Sequence, residues 1–419
     1  MLAEILATGD EIRSGALIDT NSAYIAQKLE EAGIEVSRHI CVGDNMDIMV
    51  STLQKISQRS DFAVVTGGLG PTVDDISAEA VAKAAGVELL LDNKAMENIE
   101  HFFEKRQRLM SASNKKQALI PENAEVIYNP VGTAPGFYLK IDGCVFFFIP
   151  GVPFEMKKML SEAVIPAIRR LCGKKREFCM VKTISTFGIT ESAAGEKLAD
   201  ITSVFPALKI GFRAKFPEIQ VKIYLYGKDE KRLKQRLDEA CKWILAKIGH
   251  KTFSVENRSM GAEVARLLLK RKATIALAES CTGGLISHLL TNIPGSSEYF
   301  LFSGISYSNE SKIKVLGVSP DTLQKNGAVD EKTAQEMAEG ARRIAGADYG
   351  LSTSGIAGPS GGTDEKPVGT LCIGIATPSG TKGFTFNSMF DKRSMNKIVF
   401  AMKALDLLRR TLSNYNFQH

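Results

Sequence analysis

From its first residues the chain alternates short, mostly apolar runs with stretches in which apolar residues return every third or fourth position. The first kind reads as strand and the second as one-sided helix, because side chains switch faces along a strand but realign after about 3.6 residues in a helix. Residues 2–8, 34–40 and 62–66 are of the first kind, and 21–32 and 47–57 of the second. Ile25, Leu29 and Ala32 share one helical face, and Gly33 stands where a helix commonly ends. Such a strand–helix–strand series predicts a parallel sheet covered on both faces. Residues 136–141 and 145–149 read as paired strands around Asp142-Gly143, a hairpin-turn signal, and a helix over 154–171 closes this part.

Beyond about residue 172 the grain changes. A strand over 180–186, a helix over 191–201, an alternating strand over 219–226 and a charged helix over 230–248 make a small α+β unit. A third series follows. Val264, Leu267 and Leu268 mark a helix, 274–278 a buried strand, and 351–354 and 371–376 further strands. A helix over 333–345 aligns Ala334, Met337, Ala338, Ala341 and Ile344 on one stripe. The expected division is 1–172, 173–252 and 253–419, in an α/β protein without internal repeats.

Composition agrees with several domains. A chain of 419 residues exceeds what one core usually supports. With 44% apolar and 24% charged residues, large-scale disorder is excluded. The net charge of +6 is modest, and the densest basic stretch (Arg169, Arg170, Lys174, Lys175, Arg176) has no aromatic residues among it, so direct nucleic-acid binding is not expected. No apolar run reaches membrane-span length, and the N-terminus lacks a basic-then-apolar signal. Seven cysteines without CxxC pairs suggest neither a disulfide framework nor a zinc ribbon, and a reducing cytoplasm is the expected setting.

The most chemically suggestive segment is Ala278-Glu279-Ser280-Cys281-Thr282-Gly283-Gly284, which reads as strand, tight turn, helix. Ligands bind at the carboxyl ends of strands in open α/β sheets, and the N–H groups of a following helix would suit a developing oxyanion. Ser280 could attack a carbonyl there, given a base. His288 falls inside the helix, so Lys312 is the better candidate, provided its amine is kept neutral. Taken on these residues alone, a helix cap at Ser280 and a solvated Lys312 serve equally well. Cys281 is a rival nucleophile, since a helix N-terminus lowers a thiol's pKa. A second glycine-rich stretch, 354–363, could form an anion nest or an ordinary Gly-Pro turn.

Near the N-terminus, Thr66-Gly67-Gly68-Leu69-Gly70-Pro71-Thr72-Val73-Asp74-Asp75 follows a buried strand and is expected to open a helix. Its glycines permit close approach of a phosphate, and Asp74 and Asp75 offer hard oxygen ligands to a divalent cation. Thr72 with Asp75 also matches a capping box, a purely structural role. Asp10, Glu11, Asp19 and Asp44 are further carboxylates that each read equally well as cap or turn residues.

The motifs AESCTGGLIS (278–287), SGISYSNESK (303–312), SGIAGPSGGT (354–363) and EKPVGT (365–370), in this order, resemble the C-terminal domain of the CinA family. That resemblance implies hydrolysis of nicotinamide mononucleotide to nicotinate mononucleotide and ammonia, with no metal. It implies Ser280 and Lys312 as the catalytic pair, with Tyr307 at the site. It implies substrate contacts from Thr282, Gly283, Gly284, Gly355, Gly358, Gly361, Gly362 and Thr363. Family members carry a Gly-Asp-Arg near the end that helps hold the nucleotide phosphate. Here the sequence is Asp391-Lys392-Arg393, so Arg393 matches in different surroundings.

ATGDEIRSG (7–15), IDTNSAYIAQKL (18–29), VGDN (42–45), TGGLGPTVDD (66–75), NPVGTAPGF (129–137) and PGVPFEM (150–156) resemble the N-terminal domain of the same family, whose three-layer α/β fold is similar to molybdopterin-binding domains. The resemblance implies cleavage of ADP-ribose to AMP and ribose 5-phosphate with a divalent cation, and potassium as a further cation. Gly67, Gly68, Gly70, Pro71 and Thr72 would face the diphosphate and Asp74 or Asp75 the metal. The middle unit resembles the family's KH-like domain, but Gly188-Ile189-Thr190-Glu191 lacks the second glycine of a nucleic-acid clamp. A homodimer is implied as well. Two other readings stand beside this one: a molybdopterin-binding or adenylyl-transferring protein, and a non-catalytic partner in competence or DNA repair.

Overall fold

The computed structural model describes residues 1–173, 178–388 and 390–413, so Lys174, Lys175 and Arg176 of the basic stretch lie outside the described residues. The chain is a three-domain mixed α/β protein. By their contacts the residues group into two compact units, Met1–Val181 with Leu225–Gln235, and Lys182–Tyr224 with Arg236–His419.

The first unit holds strands β1 (Leu2–Thr8), β2 (Glu35–Val42), β3 (Phe62–Thr66), β4 (Leu89–Leu91), β5 (Leu119–Pro121), β6 (Glu125–Ile127), β7 (Gly136–Ile141) and β8 (Cys144–Ile149). Six of them form one sheet in the order β2-β1-β3-β8-β7-β6, while β4 and β5 pair separately. β1, β2, β3 and β8 run parallel, and the β7–β8 hairpin turns at Asp142, which takes φ 50°. The strands are apolar at consecutive positions because both faces are covered. Ile5, Val64, Phe147 and Ile149 pack into one core, and Leu6, Val65, Phe146 and Phe148 into another. The helix expected over 154–171 is interrupted by a π-helical turn, Leu160–Val164, just before Pro166, whose ring cannot donate a helical hydrogen bond.

In the middle segment, β9 (Phe178–Phe187), β10 (Leu208–Lys215), β11 (Glu218–Gly227) and β12 (Thr252–Ser254) form a sheet in the order β10-β11-β9-β12. The helix expected over 191–201 is two pieces, Glu191–Lys197 and Ile201–Val204, and β10 went unread in the sequence. Most of this segment groups with the C-terminal domain because Phe187 and Phe253 enter its core beside Met260 and Val264.

The C-terminal sheet runs β14 (Phe300–Ile305), β13 (Ile275–Glu279), β15 (Tyr349–Gly355), β16 (Thr370–Thr377), β17 (Gly380–Asn387). β13 lies between β14 and β15 and is parallel to both, whereas β16 runs antiparallel to β15, and β17 antiparallel to β16. Ile275 and Leu277 face one core, and Ala276 and Ala278 the other. The helix Glu331–Ala345 covers the alanine face with Ala334, Met337, Ala338 and Ala341 buried, while Ile344 is 46% exposed. It lies so close that a Cβ on Gly374 would collide with the Ala334 carbonyl, and one on Gly350 with the Ala338 carbonyl. Gly374→Ala is therefore expected to lower stability by about 1–3 kcal/mol, the usual cost of overpacking, read as a drop in melting temperature.

Candidate functional site

β13 ends in a buried carboxylate, Glu279, followed at once by Ser280. The turn that follows needs glycines at Gly283 (φ 60°) and Gly284 (φ 90°), and the helix Leu285–Thr291 begins behind it. Glu279 folds back beneath this turn. Its carboxylate accepts from the N–H groups of Gly284 (2.9 Å), Ile286 (3.2 Å) and Ser287 (2.8 Å), and from the Ser287 hydroxyl (2.5 Å). The helix N–H groups expected to face an oxyanion are thus already taken by an anion of the protein's own. The turn is fixed further by Ser280 N–H donating to the Thr353 carbonyl and Gly283 N–H to that of Ser280.

The amine of Lys312 comes to the same point from another direction. Ser308 caps the helix Asn309–Leu316 by accepting from Ser311 N–H, which turns Lys312 inward one turn later. The lysine side chain is 1% exposed. Its Nζ lies 3.2 Å from Ser280 Oγ and donates to the Ser306 carbonyl at 2.8 Å. Burial lowers the pKa of this amine, since a low-dielectric surrounding disfavours the ammonium. A neutral amine that gives a hydrogen to Ser306 can turn its lone pair to the Ser280 hydroxyl. The pair is therefore assembled and electrically suited to deprotonate the serine.

Cys281 does not compete. It is almost wholly buried, and that burial pushes its thiol up to about 12, so no thiolate is available near neutrality. Thr282 is also inside, its hydroxyl 2.7 Å from that of Thr353.

Tyr307 is 61% exposed and touches neither member of the pair by hydrogen bond. Its hydroxyl accepts from Arg393 Nη2 (2.8 Å), while Arg393 Nη1 donates to the Gly358 carbonyl (2.9 Å). Arg393 thereby ties the tyrosine to the glycine-rich loop, in which the Gly358–Pro359 bond is cis. Gly355 lies against Cys281, where a Cβ would come within 3.3 Å of the sulfur. Gly361 and Gly362 belong to an exposed turn closed by Thr363 N–H to the Lys366 carbonyl and Lys366 N–H to Thr363 Oγ1. Among the described residues no hydrogen bond joins that turn to Ser280 or Lys312. Two contributors escaped the sequence reading. Glu279 was not assigned a role, and Lys397, one turn after Arg393, brings its Nζ to within 3.3 Å of a Cβ built on Gly283. The spacing of Arg393 and Lys397 at the start of the helix Arg393–Leu412 was the available signal.

The N-terminal loop lines a cavity of about 450 Å³ that also takes in Glu11, Asp19, Asn21, Asp44 and Glu155. Gly67 runs so close to β1 that a Cβ would sit 2.7 Å from the Thr8 carbonyl. The helix starts only at Ser77, so Thr72 and Asp75 are not its cap. Instead Asp75 accepts from Thr72 N–H (2.9 Å) and Oγ1 (2.5 Å), closing a turn within the loop. That commits one Asp75 oxygen. Gly70 and Pro71 flank this turn, and Asp74 is exposed. Burial raises Asp44, and neighbouring Asp10, Glu11 and Asp74 add to it. Burial likewise raises Glu155, which accepts from Asn129 Nδ2 at 2.7 Å. Among the described residues no three His, Cys, Asp or Glu side chains converge as a ready metal site.

The folds and the serine–lysine pair define an α/β protein with two separate candidate sites, one at each end of the chain. Three family models match it: a probable molybdopterin binding domain over residues 4–170, the damage-inducible protein CinA KH domain over 181–254, and the CinA C-terminal domain over 257–412. A CinA-like protein of Desulfosudis oleivorans is 51% identical over 98% of this chain and 100% of its own length. A Shewanella oneidensis protein named nicotinamide-nucleotide amidohydrolase PncC is 41% identical over 98% of this chain and 96% of its own. A solved CinA structure from Thermoplasma acidophilum matches 40% of this chain and 96% of its own, at 34% identity and a TM-score of 0.37. The chain belongs to the CinA-like protein family.

The bonding of Glu279 makes a direct prediction. Glu279→Ala leaves one buried N–H group (Ile286) and two partly buried ones (Gly284 and Ser287) without their acceptor, and a buried unpaired group costs about 1–3 kcal/mol. A large drop in melting temperature is expected, with Glu279→Gln, which keeps one acceptor oxygen, falling between the two.

Proposed function

We propose that the C-terminal site hydrolyses the carboxamide of nicotinamide mononucleotide, giving nicotinate mononucleotide and ammonia. The observation that carries this reading is the buried amine of Lys312 at 3.2 Å from Ser280 Oγ. The name borne by the Shewanella oneidensis relative supports the substrate. Neutral Lys312 takes the Ser280 proton as Oγ bonds to the carboxamide carbon. The resulting ammonium returns that proton to the departing nitrogen, and ammonia leaves an acyl-serine. Water, deprotonated by the same amine, then attacks the ester carbon. Ser280 regains its proton and the carboxylate product departs. Every proton in this scheme passes between Ser280, Lys312, water and substrate. With the helix N–H groups occupied by Glu279, the N–H groups of the turn at Cys281 and Thr282 are left to meet the oxyanion. Arg393 and Lys397 supply positive charge for the phosphate.

Ammonia release from nicotinamide mononucleotide should fall to background in Ser280→Ala. Lys312→Arg, which puts a charge there that cannot be given up, should lose about 10²–10⁴-fold. Because the base acts when neutral and burial lowers its pKa, kcat/KM should rise with pH and level off below the ordinary lysine value of about 10.4. A rate still climbing past that value would remove Lys312 as the base.

We propose further that the N-terminal cavity cleaves ADP-ribose with water to AMP and ribose 5-phosphate. The supporting observation is a cavity of about 450 Å³ that joins a glycine turn to Glu11, Asp44 and Asp74. A diphosphate cannot settle beside these carboxylates without positive charge between them. A divalent cation brought in with the substrate, and potassium beside it, would find hard oxygens there. Formation of AMP should stop on chelation and return with added magnesium or manganese. Chelation should leave ammonia release untouched. The same reading places the protein in the cytoplasm as a homodimer. Among the described residues no helix is long and apolar enough to cross a membrane.

A further inference from the structure

Within the second unit, a cavity of about 570 Å³ opens between the β10–β11 turn and the start of the C-terminal helix. Its volume falls in the range of about 300–1,000 Å³ usual for small-molecule sites. Five phenylalanines line it: Phe187 and Phe216 from the middle segment, and Phe386, Phe390 and Phe400 from the C-terminal domain. Phe216 and Phe390 meet edge to face, with ring centres 5.2 Å apart. Such walls suit a flat aromatic body.

Three ionisable residues line the cavity: Lys403, Glu218 and Glu191, the last exposed to solvent. Lys403 lies with Nζ 4.3 Å from the centre of the Phe386 ring, and burial lowers its pKa. The nearest carboxylate acting on it, Asp406, is already held by Arg409 and Arg410. Among the described residues Lys403 makes no ion pair. Glu218, 7% exposed, makes none either, and burial raises it toward the neutral acid, which donates a hydrogen bond and does not repel an anion. Ser388 Oγ, on the same wall, is buried with no hydrogen-bond partner. A lysine amine on an aromatic wall beside an unsatisfied hydroxyl, without an ion pair to hold its charge, is an arrangement an anion would complete, because a bound anion favours the ammonium that burial disfavours.

We propose that this cavity is a binding site for a small aromatic monoanion, its ring among the phenylalanines and its charge on Lys403. The cavity is mechanically joined to the serine–lysine site. Asn396 Nδ2 donates both to the carbonyl of Phe390, on the cavity wall, and to that of Ala357, in the glycine-rich loop. Arg393, between them in sequence, holds the next carbonyl of that loop, Gly358. Occupancy that moves Phe390 therefore moves the support of Arg393, and turnover changes with it. This last consequence rests on the deamidase reading, whereas the binding does not.

The test uses the full chain and two fluorescent probes of one shape, anionic 8-anilinonaphthalene-1-sulfonate and neutral N-phenyl-1-naphthylamine. Saturable binding of the anion at one site per chain is expected. Lys403→Gln should weaken the anion about tenfold and leave the neutral probe nearly unchanged. Ile219→Trp, which fills the cavity, should weaken both. A non-saturable signal, or equal loss of both probes in Lys403→Gln, would overturn the site. Ammonia release from nicotinamide mononucleotide should change at saturating anion in the native chain and not in Ile219→Trp. Binding with turnover unmoved overturns the link to Arg393. Absence of turnover without any probe counts against the deamidase reading and leaves the binding result standing.

Discussion

Burying an amine in a protein interior favours its neutral form, because the ammonium loses its hydration and little in the surrounding protein replaces it. Lys312 is buried in this way within the C-terminal domain, its amine bonded to one carbonyl and one hydroxyl, and the burial lowers its pKa. Everything else about the site follows from keeping it so. Ser308 sets the helix that turns the lysine inward, and Glu279, at the end of β13, braces the turn that presents Ser280. A charged neighbour in place of the Ser306 carbonyl would undo the arrangement without changing its shape.

The same economy of charge governs Glu279. A helix N-terminus near a nucleophile invites an anion, and in this fold the invitation is answered from within. The carboxylate is part of the scaffold, and it trades a general electrostatic advantage for a rigid turn. Positive charge reaches the site from the C-terminal helix, through Arg393 at Tyr307 and Lys397 beside Gly283.

Much of the layout was legible in the chain. The strands 2–8, 62–66 and 136–141 have the boundaries expected of them, because strands buried on both faces leave continuous apolar runs that little else imitates. Strands β10, β14 and β17 were not seen. β10 and β17 carry lysine and glycine, with arginine in one and threonine in the other, which blur the alternation, while β14 is a short apolar run broken by Ser303-Gly304. The split of the 191–201 helix and the π-helical turn before Pro166 are likewise answers to packing and to a missing N–H, which apolar spacing does not register.

By itself the sequence determined the order of the elements, the tight turn after β13, and the presence of a serine and a lysine in motifs of a known family. Those are local matters, decided by neighbours a few residues apart. Tertiary structure alone decided that Ser280 and Lys312 meet across 32 positions, that Glu279 claims the N–H groups expected for the substrate, and that Tyr307 reaches Arg393 across 86. Such meetings depend on how helices seat on a sheet, at the glycines of β15 and β16 as much as in the motifs. Burial of the amine, the property on which the chemistry turns, belongs to no residue in isolation.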